Sequence, residues 1–145
     1  MKIPIRIFLL LMVLFLFTSA SCSKRNAYDE LNDRIIVLFQ QGQYSEAEKL
    51  AKEAVAMARD TFGPGHVKVA GALDTLAMIF SAQREYDQAE TLYQEALAIL
   101  ESTLGMQHPD LANVLENMAE LYRTLGNKEE AEKLTARLKA LRTGH

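Results

Sequence analysis

Four side chains of this sequence are best suited to hold a metal or to act as nucleophile and base: His66, His108, His145 and the single cysteine, Cys22. His66 stands in TFGPGHVKVA, residues 61–70, where Gly63 and Gly65 flank Pro64 ahead of an apolar helical pattern. A glycine-rich turn at a helix start can cradle phosphate, because converging backbone N–H groups meet the positive end of the helix dipole. The segment TLGMQHPDLA, residues 103–112, repeats the Gly and the His 42 residues later but has Met-Gln in place of Pro-Gly. A cradle needs its glycines grouped around the anion; within the turn itself, residues 63–66 and 105–108, only Gly63/Gly105 and His66/His108 are common to both copies. Histidines in equivalent places of stacked repeats lie about 10 Å apart, the width of one packed helix. Metal–nitrogen bonds of about 2 Å leave no room for a shared ion. His145 is terminal, Cys22 is remote in sequence from any His, and acid pairs such as Glu129-Glu130 fall on solvated helix turns. No catalytic site, metal, cofactor or small-molecule substrate is expected.

Composition narrows the partners. Both basic residues of the first 21, Lys2 and Arg6, precede a remainder with 14 basic and 19 acidic residues. Nucleic acid is therefore not an expected partner, since phosphate neutralisation needs clustered Lys and Arg. One cysteine excludes an internal disulfide framework and a zinc site built on several thiolates.

Residues 1–21 have the three zones of a secretory signal: a basic start, the apolar run Ile7–Phe17, and the small-residue exit Thr18-Ser19-Ala20-Ser21. Eleven core residues suit a signal rather than a span of roughly 20. With Cys22 directly after the exit, the segment resembles a bacterial lipoprotein signal. That resemblance implies cleavage before Cys22 and acylation of its thiol, and Ser23 after it favours the outer membrane. Ser19 departs from the leucine preferred by that family, so cleavage with release of a soluble periplasmic or secreted chain, and retention of the segment as an anchor, stand as alternatives. Residues 22–27 are expected to form a short linker.

The offset of 42 extends well beyond the glycines and histidines. Tyr44 maps onto Tyr86; Ala47 onto Ala89 and Ala131; Leu31 onto Leu73 and Leu115; Leu50 onto Leu92 and Leu134. Such self-similarity marks a repeat array. Leu73, Leu76, Ala77 and Phe80 fall at i, i+3, i+4 and i+7, and Ala89, Leu92, Tyr93, Ala96, Leu97 and Leu100 form a second apolar face. Each unit thus reads as two helices, giving hairpins at about 28–61, 67–103 and 109–142 within units 28–66, 67–108 and 109–142 of a domain covering 28–145. Ser45 with Glu48, and Asp87 with Glu90, have capping-box spacing. Gly42 and Gly126 suit the left-handed position after a helix. Small residues such as Ala54 and Ala96 permit close helix approach. In the third unit Leu138 replaces them and Thr135 replaces Tyr93, among Lys133, Arg137, Lys139 and Arg142, which reads as a terminal cap.

The second unit, ALDTLAMIFSAQREYDQAETLYQEALAIL, resembles a tetratricopeptide repeat through Leu73, Leu76, Ala77, Phe80, Ala89, Tyr93 and Ala96. The 42-residue period and the TLG…HPDLA connector resemble the kinesin-light-chain type. Ile35, where the family has a small residue, is a departure. The resemblance implies an all-α, right-handed α-solenoid of about three helical hairpins without catalytic apparatus. It further implies a concave groove, lined by the first helix of each hairpin, that binds a protein or peptide. Carried onto this sequence, the groove presents Asp33 from unit one; Asp74, Thr75 and Met78 from unit two; and Asn113, Asn117, Glu120 and Arg123 from unit three. Asp29, Asn32, Ile36, Phe39, Gly71, Ser81 and Glu116 share that face. Asn117 matches an asparagine that holds the backbone of an extended peptide, using both its donor and its acceptor. The excess of acids over Arg123 leads to the expectation of an acidic groove for basic segments. The function expected is that of a membrane-anchored interaction module of the bacterial envelope. The alternative is a structural subunit that docks through its convex or terminal surfaces.

Overall fold

The computed structural model describes the backbone of residues 5–143 and the side chains of residues 23–143. The side chains of residues 1–22, Cys22 among them, and residues 144–145, His145 included, lie outside the described residues. Six α-helices succeed one another: α1 (Ile5–Gln40), α2 (Tyr44–Phe62), α3 (Val67–Ala82), α4 (Tyr86–Leu104), α5 (Ala112–Thr124) and α6 (Lys128–Thr143). A 3₁₀ turn, Pro109–Leu111, leads into α5. The starts of α2, α4 and α6 are spaced by 42 residues, as are the ends of α1, α3 and α5. Consecutive helices pair as antiparallel hairpins that stack into the right-handed α-solenoid that the family resemblance implies. Residues 23–27 are exposed and carry α1 onward in helical form.

The joints between hairpins explain the recurring Gly and His. Gly63 (φ 96°) and Gly105 (φ 92°) end α2 and α4 in a conformation that side chains disfavour. His66 and His108 then cap the next helical turn: the N–H of Lys68 donates to His66 Nδ1 at 3.1 Å, and that of Asp110 to His108 Nδ1 at 3.2 Å. Thr103 Oγ1 donates to the Gly65 carbonyl at 2.9 Å, tying the first joint to the end of α4.

The turns inside the hairpins share one design. The N–H of Gln43 returns to Leu38 O, that of Glu85 to Phe80 O and that of Asn127 to Tyr122 O, each at 2.9 Å. This six-to-one bond needs a left-handed residue just before its donor. Gly42 (φ 73°) and Gly126 (φ 76°) supply it in units one and three, whereas unit two uses Arg84 at φ 65°. Left-handed backbone costs a residue with a Cβ about 1–2 kcal/mol, part of which glycine returns as unfolded-state entropy. Arg84→Gly is therefore expected to stabilise the protein by about 1 kcal/mol, measurable as a raised urea midpoint with an unchanged slope. A fall in midpoint would contradict the strain.

The capping boxes expected at Ser45/Glu48 and Asp87/Glu90 do not form. The turn delivers the chain into α2 and α4 earlier than expected, so Gln43 and Glu85 hold the cap position without a side-chain bond. Ser45 and Asp87 fall inside the first turn, where the Asp87 charge favours the dipole. Glu48 and Glu90 are thereby free to reach the next unit. Glu48 accepts from Gln83 Nε2 at 2.9 Å and Glu90 from Tyr122 Oη at 2.6 Å. Of the second helices α2, α4 and α6, the last alone gains a side-chain cap, the N–H of Glu130 donating to Asn127 Oδ1 at 3.3 Å.

Small residues sit where helices of neighbouring units cross. Ala47, Ala54, Ala89 and Ala96 are fully buried, and Tyr93 and Phe80 fill the space between them. Ile35, despite its size, is fully buried in unit one.

Candidate functional site: the face of the first helices

Helices α1, α3 and α5 share one face, which carries three adjoining depressions. An apolar one of about 430 Å³ lies between α1 and α3, lined by Ile35, Ile36, Phe39, Gln40, Thr75 and Met78. A cleft of about 420 Å³ continues from Phe39 and Met78 across to Asn117, Glu120, Leu121 and Thr124 of α5. Tyr86 and Tyr93 of α4 also line this cleft, beside Ser81 and Ala82. A third, of about 300 Å³, gathers Gly71, Asp74, Asp110 and Asn113 toward the start of α3 and α5.

The expected groove residues divide among these depressions. Thr75 and Met78 fall in the first; Met78, Asn117 and Glu120 in the second; Asp74 and Asn113 in the third. Asp33 is exposed on α1 and lines none of the three. Arg123 turns toward the end of the array, donating to Glu120 at 2.8 Å and to Thr135 Oγ1 at 3.0 Å. Tyr86 and Tyr93 were not among the groove positions read from the sequence. They belong to a second helix, and Tyr93 carries the packing pattern of a core residue.

Asn117 is already engaged. Its Nδ2 donates to Asp74 Oδ1 at 3.0 Å, joining α5 to α3 across the unit boundary. The amide that the resemblance assigns to both halves of a peptide bond thus gives one of its two N–H donors to Asp74. In the preceding boundary the equivalent side chains turn inward. Asn32 donates to Tyr28 O at 2.8 Å and Thr75 to Gly71 O at 3.0 Å, each four residues back on its own helix. The face is thus apolar between units one and two and polar between units two and three.

The acidity expected of this face is largely balanced by its own cations. Asp29 pairs with Lys68 at 3.2 Å, Glu116 with Arg142 at 2.9 Å and Glu120 with Arg123 at 2.8 Å. Exposed pairs of this kind add little stability, but they cancel the field that would draw a basic segment. Ser81 Oγ is buried with no hydrogen-bond partner among the described residues.

Burial pushes the Asp74 carboxyl above the usual carboxylate range, and the Asn117 amide offsets only part of that shift. Burial likewise raises the Tyr93 hydroxyl, with the charge of Asp74 adding to the effect. Tyr122 is pushed up to about 12 by burial and by its bond to Glu90, so it remains a neutral donor. For Asp74 the folded state binds the proton more tightly than the unfolded chain. Its burial therefore costs stability above the raised folded value, and the cost fades as pH falls toward the unfolded value of 3.8. Asn at position 74 would accept the same bond without charge. Asp74→Asn is expected to be more stable than the parent near neutral pH, with the gap closing as pH is lowered. Urea melts of both proteins from about pH 7 to about pH 4 measure it; a gap that widens toward acid would reverse the sign argued here.

Among the described residues no three His, Cys, Asp or Glu side chains lie close enough together to hold a metal ion. A family model for the tetratricopeptide repeat matches residues 30–102 and again 69–142. The chain belongs to the tetratricopeptide-repeat family. Repeats of this family are non-catalytic scaffolds that mediate protein–protein interaction. The fold is similar to that of BtubC (BKLC) from P. vanneervenii, at 26% identity and a TM-score of 0.71 over 77% of this chain and 44% of that one. It is also similar to a putative kinesin light chain with nearly identical TPR-like repeats from Podosopora anserina. That structure gives 24% identity and a TM-score of 0.72 over 79% of this chain and 55% of that one. The chain thus matches about half the length of these tetratricopeptide proteins. No curated protein matches the sequence at a significant level.

Proposed function

We propose that this tetratricopeptide chain is a lipid-anchored adaptor of the bacterial envelope that captures an extended protein segment along the face of α1, α3 and α5. The observation that carries the groove reading is the shared lining by Phe39 and Met78, which makes the apolar depression and the polar cleft one track. Ile36, 49% exposed, offers an anchoring surface for an apolar side chain at one end. Asn117 Oδ1 offers hydrogen bonding at the other. The segment suited to this track has a large apolar residue followed by polar residues, with a backbone N–H opposite Asn117.

The leader supports the anchor. Cys22 after Ala20-Ser21 would carry the acyl chains, and two or more chains give stable membrane attachment. The six residues from Cys22 to Tyr28 rise about 9 Å as helix, which would hold the repeats close to the lipid, facing the periplasm, with the outer membrane favoured by Ser23.

Crosslinking in intact cells followed by mass spectrometry tests both parts. The parent chain is expected to crosslink to a defined client and to carry lipid on Cys22, and Cys22→Ala to move to the soluble fraction. Ile36→Lys with Glu120→Lys, both on exposed positions, should abolish client crosslinking while helicity and thermal stability stay as in the parent. Undiminished crosslinking by that variant would overturn the groove, and an unmodified, freely soluble parent would overturn the anchor.

A further inference from the structure

The antiparallel hairpins give the solenoid two edges of different character. One edge holds the starts of α3 and α5, the ends of α2, α4 and α6, and the point where α1 enters the repeats; the other holds the turns inside the hairpins. Direct contacts tie the first edge together. Lys24 pairs with Asp60 at 2.7 Å, the rings of Tyr28 and Phe62 meet edge-on at 5.4 Å, and Tyr28 Oη donates to Lys68 O at 3.0 Å. Thr103 Oγ1 reaches Gly65 O, and Arg137 donates to Met106 O at 3.1 Å, which brings both joints and α6 to the same edge. Because α1 runs unbroken from Ile5 to Gln40, the leader also joins the repeats here. The joints themselves hold no Asp, Glu, Lys or Arg across residues 61–67 and 103–109. Their tips are Pro64 and Met106, both exposed; Met106, at 61%, is the most exposed large apolar side chain among the described residues. One period of 42 before Pro64, the same repeat position is Cys22. The other edge is acidic: Glu46, Asp87, Glu129 and Glu130 stand in the first turns of α2, α4 and α6, against Lys128 alone.

We propose that the joint edge rests on the headgroup layer of the membrane, with the Pro64 and Met106 tips dipping into it beside the acylated Cys22. This orientation rests on the lipid-anchor reading and adds to it a second and a third point of contact. Apolar area entering the headgroup layer, together with attraction to anionic lipid, is what holds a protein surface on a bilayer. The joint edge supplies uncharged tips, and the acidic edge is turned away from the negative lipid surface. An anchor at one point leaves the array free to tilt to any side; tips at positions 64 and 106 hold it upright. Phe39 follows Cys22 by 17 residues of helix, a rise of about 25 Å. A client in the α1–α3–α5 track therefore runs parallel to the membrane at that height, clear of the headgroups.

The test uses the chain with its lipid, reconstituted into vesicles of phosphatidylethanolamine and phosphatidylglycerol. Acylation consumes the Cys22 thiol, so Met106→Cys or Leu125→Cys supplies the one thiol for an environment-sensitive fluorophore. Leu125, 45% exposed, lies in a turn of the acidic edge and serves as the reference. A nitroxide lipid labelled near its headgroup is expected to quench the fluorophore at 106 about threefold or more over that at 125, with Pro64→Cys behaving like 106. Equal quenching at 106 and 125, in vesicles that hold the chain, would overturn the orientation and leave the anchor standing. A label at 106 that is shifted to the blue yet unquenched would overturn it by making a protein the cover of that tip. A parent chain that fails to float with the vesicles would overturn the anchor, and the orientation with it.

Discussion

Ala96→Trp is expected to separate the third hairpin from the second. Ala96 is fully buried on α4, at the level where α5 crosses. An indole there has nowhere to go, because Leu111, Leu115 and Ile79 are themselves fully buried in the same core. Overpacking costs about 1–3 kcal/mol for added methylenes, and a whole indole belongs at or above the upper end of that range. In a solenoid stability is close to a sum of unit and boundary energies. The loss should therefore fall on one boundary: α5 and α6 unfold first while the first two hairpins persist. Far-UV circular dichroism would show two transitions where the parent shows one. A single transition at the parent midpoint would mean that the boundary can absorb the ring.

The leucine series predicts a graded response from one residue type. Leu31, Leu73 and Leu115 occupy the same place in α1, α3 and α5, but they are not equally covered. Leu73 and Leu115 are 1% and 0% exposed, while Leu31 is only partly buried against the core. Truncating a fully buried leucine removes transfer energy and leaves a cavity, about 2–5 kcal/mol in total. A partly covered side chain loses less, since surrounding chain and water can fill the space. Leu73→Ala and Leu115→Ala are each expected to cost about 2–5 kcal/mol, and Leu31→Ala about 1 kcal/mol. Chemical denaturation of the three variants measures the gradient. Equal losses at all three would mean that the units are energetically equivalent despite their different neighbours.

Much of the fold was legible because a repeat shows its own pattern more than once. Gly63 with Gly105, and His66 with His108, marked the joints in the sequence alone, since a site for one ligand would not recur at a fixed helical spacing. The alanines at 47, 54, 89 and 96 marked the crossings, because only short side chains let helices approach. The groove was less legible. Facing is set by helical period, so Met78, Asn117 and Glu120 could be assigned to one face from their spacing. The partner each polar group takes depends on the neighbouring unit. Asn117 commits one of its N–H donors to Asp74, and the expected acidity is met by Lys68 and Arg142 from other helices and by Arg123 one turn on in α5.

The sequence by itself determined the period, the helices, the joints and the family, because backbone conformation and apolar periodicity are local properties read within one unit. Stacking decided which units touch and through which atoms. Arg59 pairs with Glu95 at 2.6 Å, and Arg137 with Glu101 at 2.6 Å, the same two positions one repeat on with the charges exchanged. Their separation of 36 residues is not the period of 42 but the offset at which one second helix lies beside the next. Likewise Glu48 and Glu90 look like helix caps within a unit and become inter-unit acceptors only when the next hairpin arrives. Long-range pairs of this kind carry no local signal, since their spacing is fixed by the rise and tilt of packed helices rather than by the chain that joins them.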